Sequence, residues 1–270
     1  MSAVPSTPGL LALFGSGETS PAGRRAHEFV FERLGRPIDA AILGTPAGFE
    51  TNALKVVERV KAFLENNLRN YAPNVVVVGA PRRDVVGGTD DGSGLGDLLQ
   101  ANYIFAGPGS PSYAVRHLRD TLALSHLRAR WQAGAAVAAA SAAAIALSRY
   151  TIPVYEIFKA GHDAHWIDGL DLLGPLGYHL AIVPHWNNAE GGADFDSTRC
   201  FMGDRRFAQL RSELPAECRI LGIDEQTACV LDFEADLAHV LGAGGATILA
   251  GPNVTVCAAG DTFPLGALRD

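Results

Sequence analysis

Residues 136–147 read "AVAAASAAAIAL", and a single side-chain hydroxyl, that of Ser141, interrupts the run. The residues before Ser141, "AAVAAA", are continuously apolar and strand-like, and those after it, "AAAIAL", favour a helix. A strand that turns directly into a helix at a serine lifts that side chain outward. The turn demands small neighbours two residues either side, usually in the pattern G-x-S-x-G. Here those positions are Ala139 and Ala143. Taken alone, A-x-S-x-A serves a nucleophile elbow and an alanine-rich helix with an incidental serine equally well.

Working outward, "LLALFGSGE", "AAILGTPAG", "NVVVVGA", "YIFAGPGSP" and "AAVAAAS" are apolar runs ending in turn residues, and amphipathic segments follow some of them. Strands that are apolar throughout, rather than alternating, are buried on both faces, which is the mark of a mainly parallel sheet between helices. Residues 51–68, "TNALKVVERVKAFLENNL", place Ala53, Val57, Val60, Leu64 and Leu68 on one helical stripe. A further helix is expected from Ser110 as N-cap, with Pro111 first, to a stop near Gly134. The last third, from "RILGIDEQTACVLDF" to "HVLGAGGATILAGPNVTVCAAG", reads as short antiparallel strands joined by glycine-rich turns. No repeat, linker or composition break divides residues 1–270, so a single α/β domain is expected.

The 270 residues are 48% hydrophobic, enough for a substantial core, and carry a formal net charge of −7 without a basic run longer than an Arg pair. That balance disfavours phosphate backbones, so no nucleic-acid partner is expected. The apolar start lacks a basic segment and is broken by Gly15 and Gly17, and no run is long enough to span a bilayer. A cytoplasmic protein without a membrane contact is the expectation. Cys200, Cys218, Cys229 and Cys257 form no C-x-x-C pair, so neither zinc nor a disulfide framework is expected, and no cofactor or metal is implied.

A nucleophilic serine needs a base, an acid to orient it, and an oxyanion hole. Ligands of open α/β sheets gather at the carboxyl ends of strands. "HLAIVPHWNN" ends an apolar strand at His185, which makes it the best base among the eight histidines. His117 and His126 fall within an amphipathic helix and read as solvated; His162 and His165 in "GHDAH" have no companion ligand set. In "FAGPGSP" the glycines permit close approach of the backbone, and the helix N-terminus leaves N–H groups free. The Gly109 and Ala142 amides would form the hole.

Together, "FAGPGSPSYAVRHL", "AASAAAIAL", "GLDLLGPLGYHLAIVPHWNN" and the pair "GIDEQTACVL" and "VLGAGGATIL" resemble the serine peptidases that include cyanophycinase and the aspartyl dipeptidase peptidase E. The resemblance runs over most of the chain. It implies a class I glutamine amidotransferase-like fold, a three-layer αβα sandwich with a mainly parallel central sheet, followed here by a C-terminal antiparallel hairpin region. It also implies Ser141 as nucleophile, His185 as general base, and an acid shortly after the nucleophile's helix: Glu156 in "YTIPVYEIFKAG", with Asp163 as the fallback. Arg199 in "DSTRCF" falls where the dipeptidase has an arginine for the substrate's acidic side chain, Glu18 and Asn187 would help line the pocket, and Glu225 reads as structural.

Two departures bear on the substrate. Ala143 stands where the family has glycine, and the basic segment that follows the histidine in cyanophycinases is replaced by "WNNAEGGADFDSTR". The expected activity is cofactor-free hydrolysis of an amide bond in a small acidic or isopeptide-like substrate, with a homodimer left open. A catalytically silent binding protein on the same fold is the alternative. An amidotransferase glutaminase would need a cysteine at the elbow, and none of the four lies there.

Overall fold

The computed structural model describes residues 7–269. Its first half alternates strand and helix: β1 (Leu11–Phe14), α1 (Pro21–Leu34), β2 (Asp39–Leu43), α2 (Ala53–Asn67), β3 (Asn74–Val78), α3 (Gly96–Gln100) and β4 (Tyr103–Ala106). There follow α4 (Pro111–Leu118), α5 (Leu122–Gln132), β5 (Ala136–Ala140), α6 (Ala142–Ala146), the short pair β6 (Tyr150–Thr151) and β7 (Ile167–Asp168) around α7 (Val154–Phe158), and β8 (Leu180–Val183). The rest comprises the turn α8 (Thr198–Phe201), α9 (Gly203–Glu213), β9 (Arg219–Ile223), β10 (Thr227–Asp232), β11 (Leu237–Gly242), β12 (Gly245–Ala250), β13 (Asn253–Ala258) and β14 (Thr262–Pro264).

All five apolar runs of the first half are strands, and they form the parallel part, β1-β5-β4-β2-β3, of an eight-stranded sheet. Their side chains alternate between two cores. Val137 and Ala139 pack with α4, α5 and α6, whereas Ala136, Ala138 and Ala140 pack with α1 and α2 on the opposite face. Burial on both faces is why these strands carry no polar alternation. The α2 stripe behaves as its spacing requires: Val57, Val60 and Leu64 are buried against the sheet. Each such side chain contributes about 1.5–3 kcal/mol of transfer free energy.

Two expectations are corrected. The helix expected from Ser110 to Gly134 is two helices, because Asp120 takes a left-handed φ of 57° and Thr121 caps a new start through the Leu124 amide. His117 is buried and packs on Tyr113 one turn earlier on α4, ring centroids 4.2 Å apart, so this histidine is not solvated. Burial comes first among the causes that hold its pKa below the usual histidine value, with the charges of Arg116, Arg83 and Arg82 acting the same way.

The C-terminal strands are antiparallel but do not form one hairpin region. The β10–β11 pair and β14 extend the large sheet beyond β1, while β12 and β13 join β9 and β8 in a second, four-stranded sheet. Among the C-terminal strands the chain therefore crosses between sheets three times, at residues 224–226, at 243–244 and at 259–261. Gly242, at φ 129°, lets the second crossing pass: a Cβ there would lie 2.3 Å from the Gln226 carbonyl oxygen. Among the described residues no helix is long and apolar enough to cross a membrane.

Candidate active site

Ser141 follows β5 at the carboxyl edge of the parallel sheet, with φ 50° and ψ −112°, a conformation that L-residues adopt only under constraint. The constraint is visible on both sides. Its amide donates to Phe14 at 3.1 Å, and its carbonyl accepts from the Ile145 amide at 3.1 Å. The alanines are needed because the elbow is enclosed: Ala139, Ala140, Ala142, Ala143 and Ala144 are all buried. The turn after β4 passes so close that a Cβ on Gly107 would meet the Ala140 carbonyl oxygen at 2.2 Å.

His185 arrives from the second sheet, one residue beyond Pro184 at the end of β8. Its amide reaches the Gly15 carbonyl, at the end of β1, at 3.3 Å, which ties the two sheets together at the site. The imidazole bridges two partners. Nε2 lies 2.8 Å from Ser141 Oγ, and Nδ1 lies 2.8 Å from Glu225 Oε1. An ionised carboxylate only accepts, so Nδ1 carries a proton, and in the neutral ring the Nε2 lone pair then faces the serine hydroxyl.

Glu225 sits at the tip of the first crossing between sheets, between β9 and β10. Its carboxylate is the convergence point of three donors: the His185 ring and Asn188 Nδ2 at Oε1, each at 2.8 Å, and the Ser16 hydroxyl at Oε2. Its backbone amide donates to Asn187 Oδ1 at 2.8 Å. Burial alone would raise this carboxyl's pKa. The hydrogen bonds from His185, Ser16 and Asn188 and the attraction of the imidazole outweigh that and hold it down at about 2.

The loop after β1 is fixed from the core. Buried His27 stacks on Phe14, with Nε2 2.9 Å from the Glu18 carbonyl and Nδ1 2.6 Å from the Tyr103 hydroxyl. Desolvation lowers the pKa of this ring to about 4, so it is neutral, donating from Nε2 and accepting at Nδ1. The Glu18 side chain lies near His185 and Glu225, and its pKa is raised chiefly by burial.

The cavity beside Ser141 has a volume of about 410 Å³. Ser141, His185, Gly109 and Ala142 all line it. Gly109 has φ 151°, and a Cβ on it would lie 1.9 Å from the Pro46 oxygen, so the close packing of the turn on residues 45–47 requires glycine. Ser110 anchors the same turn by donating its amide to Pro46 at 2.9 Å. Among the described residues no backbone acceptor takes the Gly109 amide, and Ala142 is the first residue of α6, where N–H groups lack intrahelical partners. A second concavity at the opposite end of the sheet, about 330 Å³ around Gly9, Leu10 and Gly134, is lined by no serine, histidine or cysteine among the described residues.

The expected site residues are thus partly assembled. Ser141, His185, Gly109 and Ala142 come together, but Glu156 does not reach His185. From α7 it accepts a hydrogen bond from the Ser112 hydroxyl near the start of α4, and its Oε2 is buried without a hydrogen-bond partner. Asp163 is exposed and lines a different cavity. The carboxylate on the histidine belongs to Glu225, which follows rather than precedes His185 in the chain.

Arg199 is also turned away. Its guanidinium stacks over Trp186 at 4.0 Å, donates to the Trp186 carbonyl at 2.9 Å, approaches Asp204 at 3.6 Å, and lines another cavity. The cause is local: Arg199, Cys200 and Phe201 have φ of 55°, 57° and 66°, so α8 winds left-handed. The amides of Arg199 and Cys200 bond the Trp186 and His185 carbonyls. Asn187 supports the Glu225 backbone and does not line the Ser141 cavity, and neither does Glu18.

Ser16, Asn188 and Glu225 escaped the reading of residue types as site members. A usable signal existed for the last two: "HWNN" follows the histidine directly, and "GIDEQ" ends an apolar strand at the same sheet edge. Among the described residues no group of three or more His, Cys, Asp or Glu side chains is arranged to hold a metal ion.

No protein-family model and no curated protein matches the sequence. Solved structures do. A peptidase from an acI-B1 Actinobacterium superposes with a TM-score of 0.75 over 98% of this chain and 100% of its own, at 22% identity. A putative Peptidase E protein from Listeria monocytogenes EGD-e superposes with a TM-score of 0.56 over 93% of this chain and 98% of its own, at 15% identity. The chain shares the fold of these two proteins. At such identities the likeness is one of architecture, a mixed α/β molecule around a large, mostly parallel sheet.

Proposed function

We propose that this protein is a serine hydrolase of amide bonds, on a class I glutamine amidotransferase-like fold, whose triad is Ser141, His185 and Glu225. The observation that carries the reading is the unbroken chain of contacts from Ser141 Oγ through the imidazole to the Glu225 carboxylate, at 2.8 Å on each side. The shared architecture with two peptidases supports the class of bond.

In this mechanism Ser141 Oγ attacks the scissile carbonyl as His185 Nε2 takes its proton. The Glu225 carboxylate stabilises the resulting imidazolium and keeps the ring in its reactive tautomer. The Gly109 and Ala142 amides receive the tetrahedral oxyanion, a contribution of about 3 kcal/mol per donor. Collapse of the intermediate breaks the C–N bond, and the imidazolium protonates the leaving amine. Water, deprotonated by the same imidazole, then attacks the acyl ester and returns Ser141 to its resting state.

The test is intact-protein mass spectrometry after incubation with a fluorophosphonate. One adduct on the wild-type protein, absent from Ser141→Ala and His185→Ala variants of unchanged melting temperature, is the expected result. A well-folded wild-type protein that takes up no adduct overturns the reading in favour of a binding protein.

A further inference from the structure

We infer that the cavity beside Ser141 selects an apolar or aromatic residue, not an acidic one, as the residue whose carbonyl is attacked. This rests on the hydrolase reading above. Both candidate oxyanion donors line the cavity, so the carbonyl that they hold belongs to a residue whose side chain projects into the same space. Ile145 stands one turn beyond Ala142 on the same helix and forms part of the wall. Val154 and Phe158 from α7, and Phe201 from α8, complete an apolar lining. Phe158 and Phe201 pack with ring centroids 5.0 Å apart.

The charges around this lining point the same way. Glu50 and Glu190 line the cavity against one cation, the exposed Lys159, which rests 4.8 Å over the Phe158 ring. A substrate carboxylate there meets the half-buried Glu50 and the exposed Glu190, against the single exposed ammonium of Lys159. The arginine with the right chemistry for a bidentate clamp, Arg199, is occupied by Trp186 and Asp204 in a separate cavity. An apolar side chain, by contrast, exchanges water for aliphatic and aromatic contacts, a preference of about tenfold or more over glycine.

The experiment measures protection of Ser141 from fluorophosphonate by aminoacyl boronic acids, which add reversibly to an activated serine. The set carries the side chains of Gly, Leu, Phe and Asp. The Leu and Phe analogues are expected to protect at concentrations at least tenfold below those for Gly and Asp. The Phe158→Ala variant, with its fold checked by thermal melting, narrows the Phe-to-Gly ratio several-fold. Equal or better protection by the Asp analogue, indifference to the side chain, or no protection by any member overturns this inference while the adduct leaves the hydrolase standing. Absence of the adduct on folded wild-type protein overturns both.

Discussion

Replacing Glu225 by Gln removes a charge while retaining an acceptor oxygen. The His185 ring and Asn188 both donate to Oε1, so the amide oxygen settles there, and the amide nitrogen occupies the place of Oε2, opposite the Ser16 hydroxyl. That hydroxyl can rotate to accept, so the hydrogen bonds survive and the fold is kept. What is lost is the negative charge that, in the proposed mechanism, stabilises the imidazolium in the transition state. In serine hydrolases the equivalent change costs up to about 10⁴-fold. With the local hydrogen bonds preserved, the expected loss here is about 10³–10⁴-fold in the rate of Ser141 phosphonylation, equivalent to about 4–5.5 kcal/mol. The assay is pseudo-first-order labelling followed by mass spectrometry, alongside Glu156→Gln as comparison. Glu156 contacts Ser112 and not the imidazole, so its variant should stay within about fivefold of wild type. A Glu156→Gln rate below that of Glu225→Gln would refute the assignment of the acid.

The same carboxylate makes stability depend on pH. Its pKa falls from 4.5 in the unfolded chain to about 2 in the folded one, so its contribution is complete above pH 4.5 and is lost as pH falls toward 2. With partial exposure of the side chain, the loss is about 1–2 kcal/mol, and acid titration of the melting temperature should show a shallower fall for Glu225→Gln than for wild type. Gly109→Ala forces a Cβ to within 1.9 Å of the Pro46 oxygen at φ 151°; labelling should slow at least about 10²-fold, as for loss of an oxyanion donor. Asn188→Ala removes a buried donor to Glu225 and an acceptor for the Glu190 amide. It should lower the unfolding free energy from urea titration by about 1–3 kcal/mol and slow labelling about tenfold. Leu64→Ala empties a fully buried position on α2, far from the site; an unfolding free energy lower by about 2–5 kcal/mol is expected, with labelling of the folded fraction unchanged.

How much of this molecule is legible in its sequence depends on the range over which each feature is decided. The five parallel strands were readable because burial on both faces writes a run of apolar residues into the chain itself, and α2 because its stripe repeats every turn. Ser141, His185 and the turn at Gly109 were readable too, since each lies where an apolar run ends, and strand ends are where a parallel sheet gathers its ligands. The carboxylate that meets His185 was not. Glu156 and Glu225 are both single carboxylates in mixed segments, and the choice between them is made by a crossing of the chain between two sheets, which brings residue 225 to the end of β8. Likewise, the side on which Arg199 emerges follows from a left-handed turn pinned to the His185 and Trp186 carbonyls. Hydrophobic pattern and turn residues act along the chain, so the sequence by itself determined the five parallel strands and the strand-end positions of Ser141, His185 and the Gly109 turn. Contacts between segments 40 residues or more apart carry no such periodic trace, and only the tertiary structure decided which carboxylate meets the imidazole and which charges face the cavity.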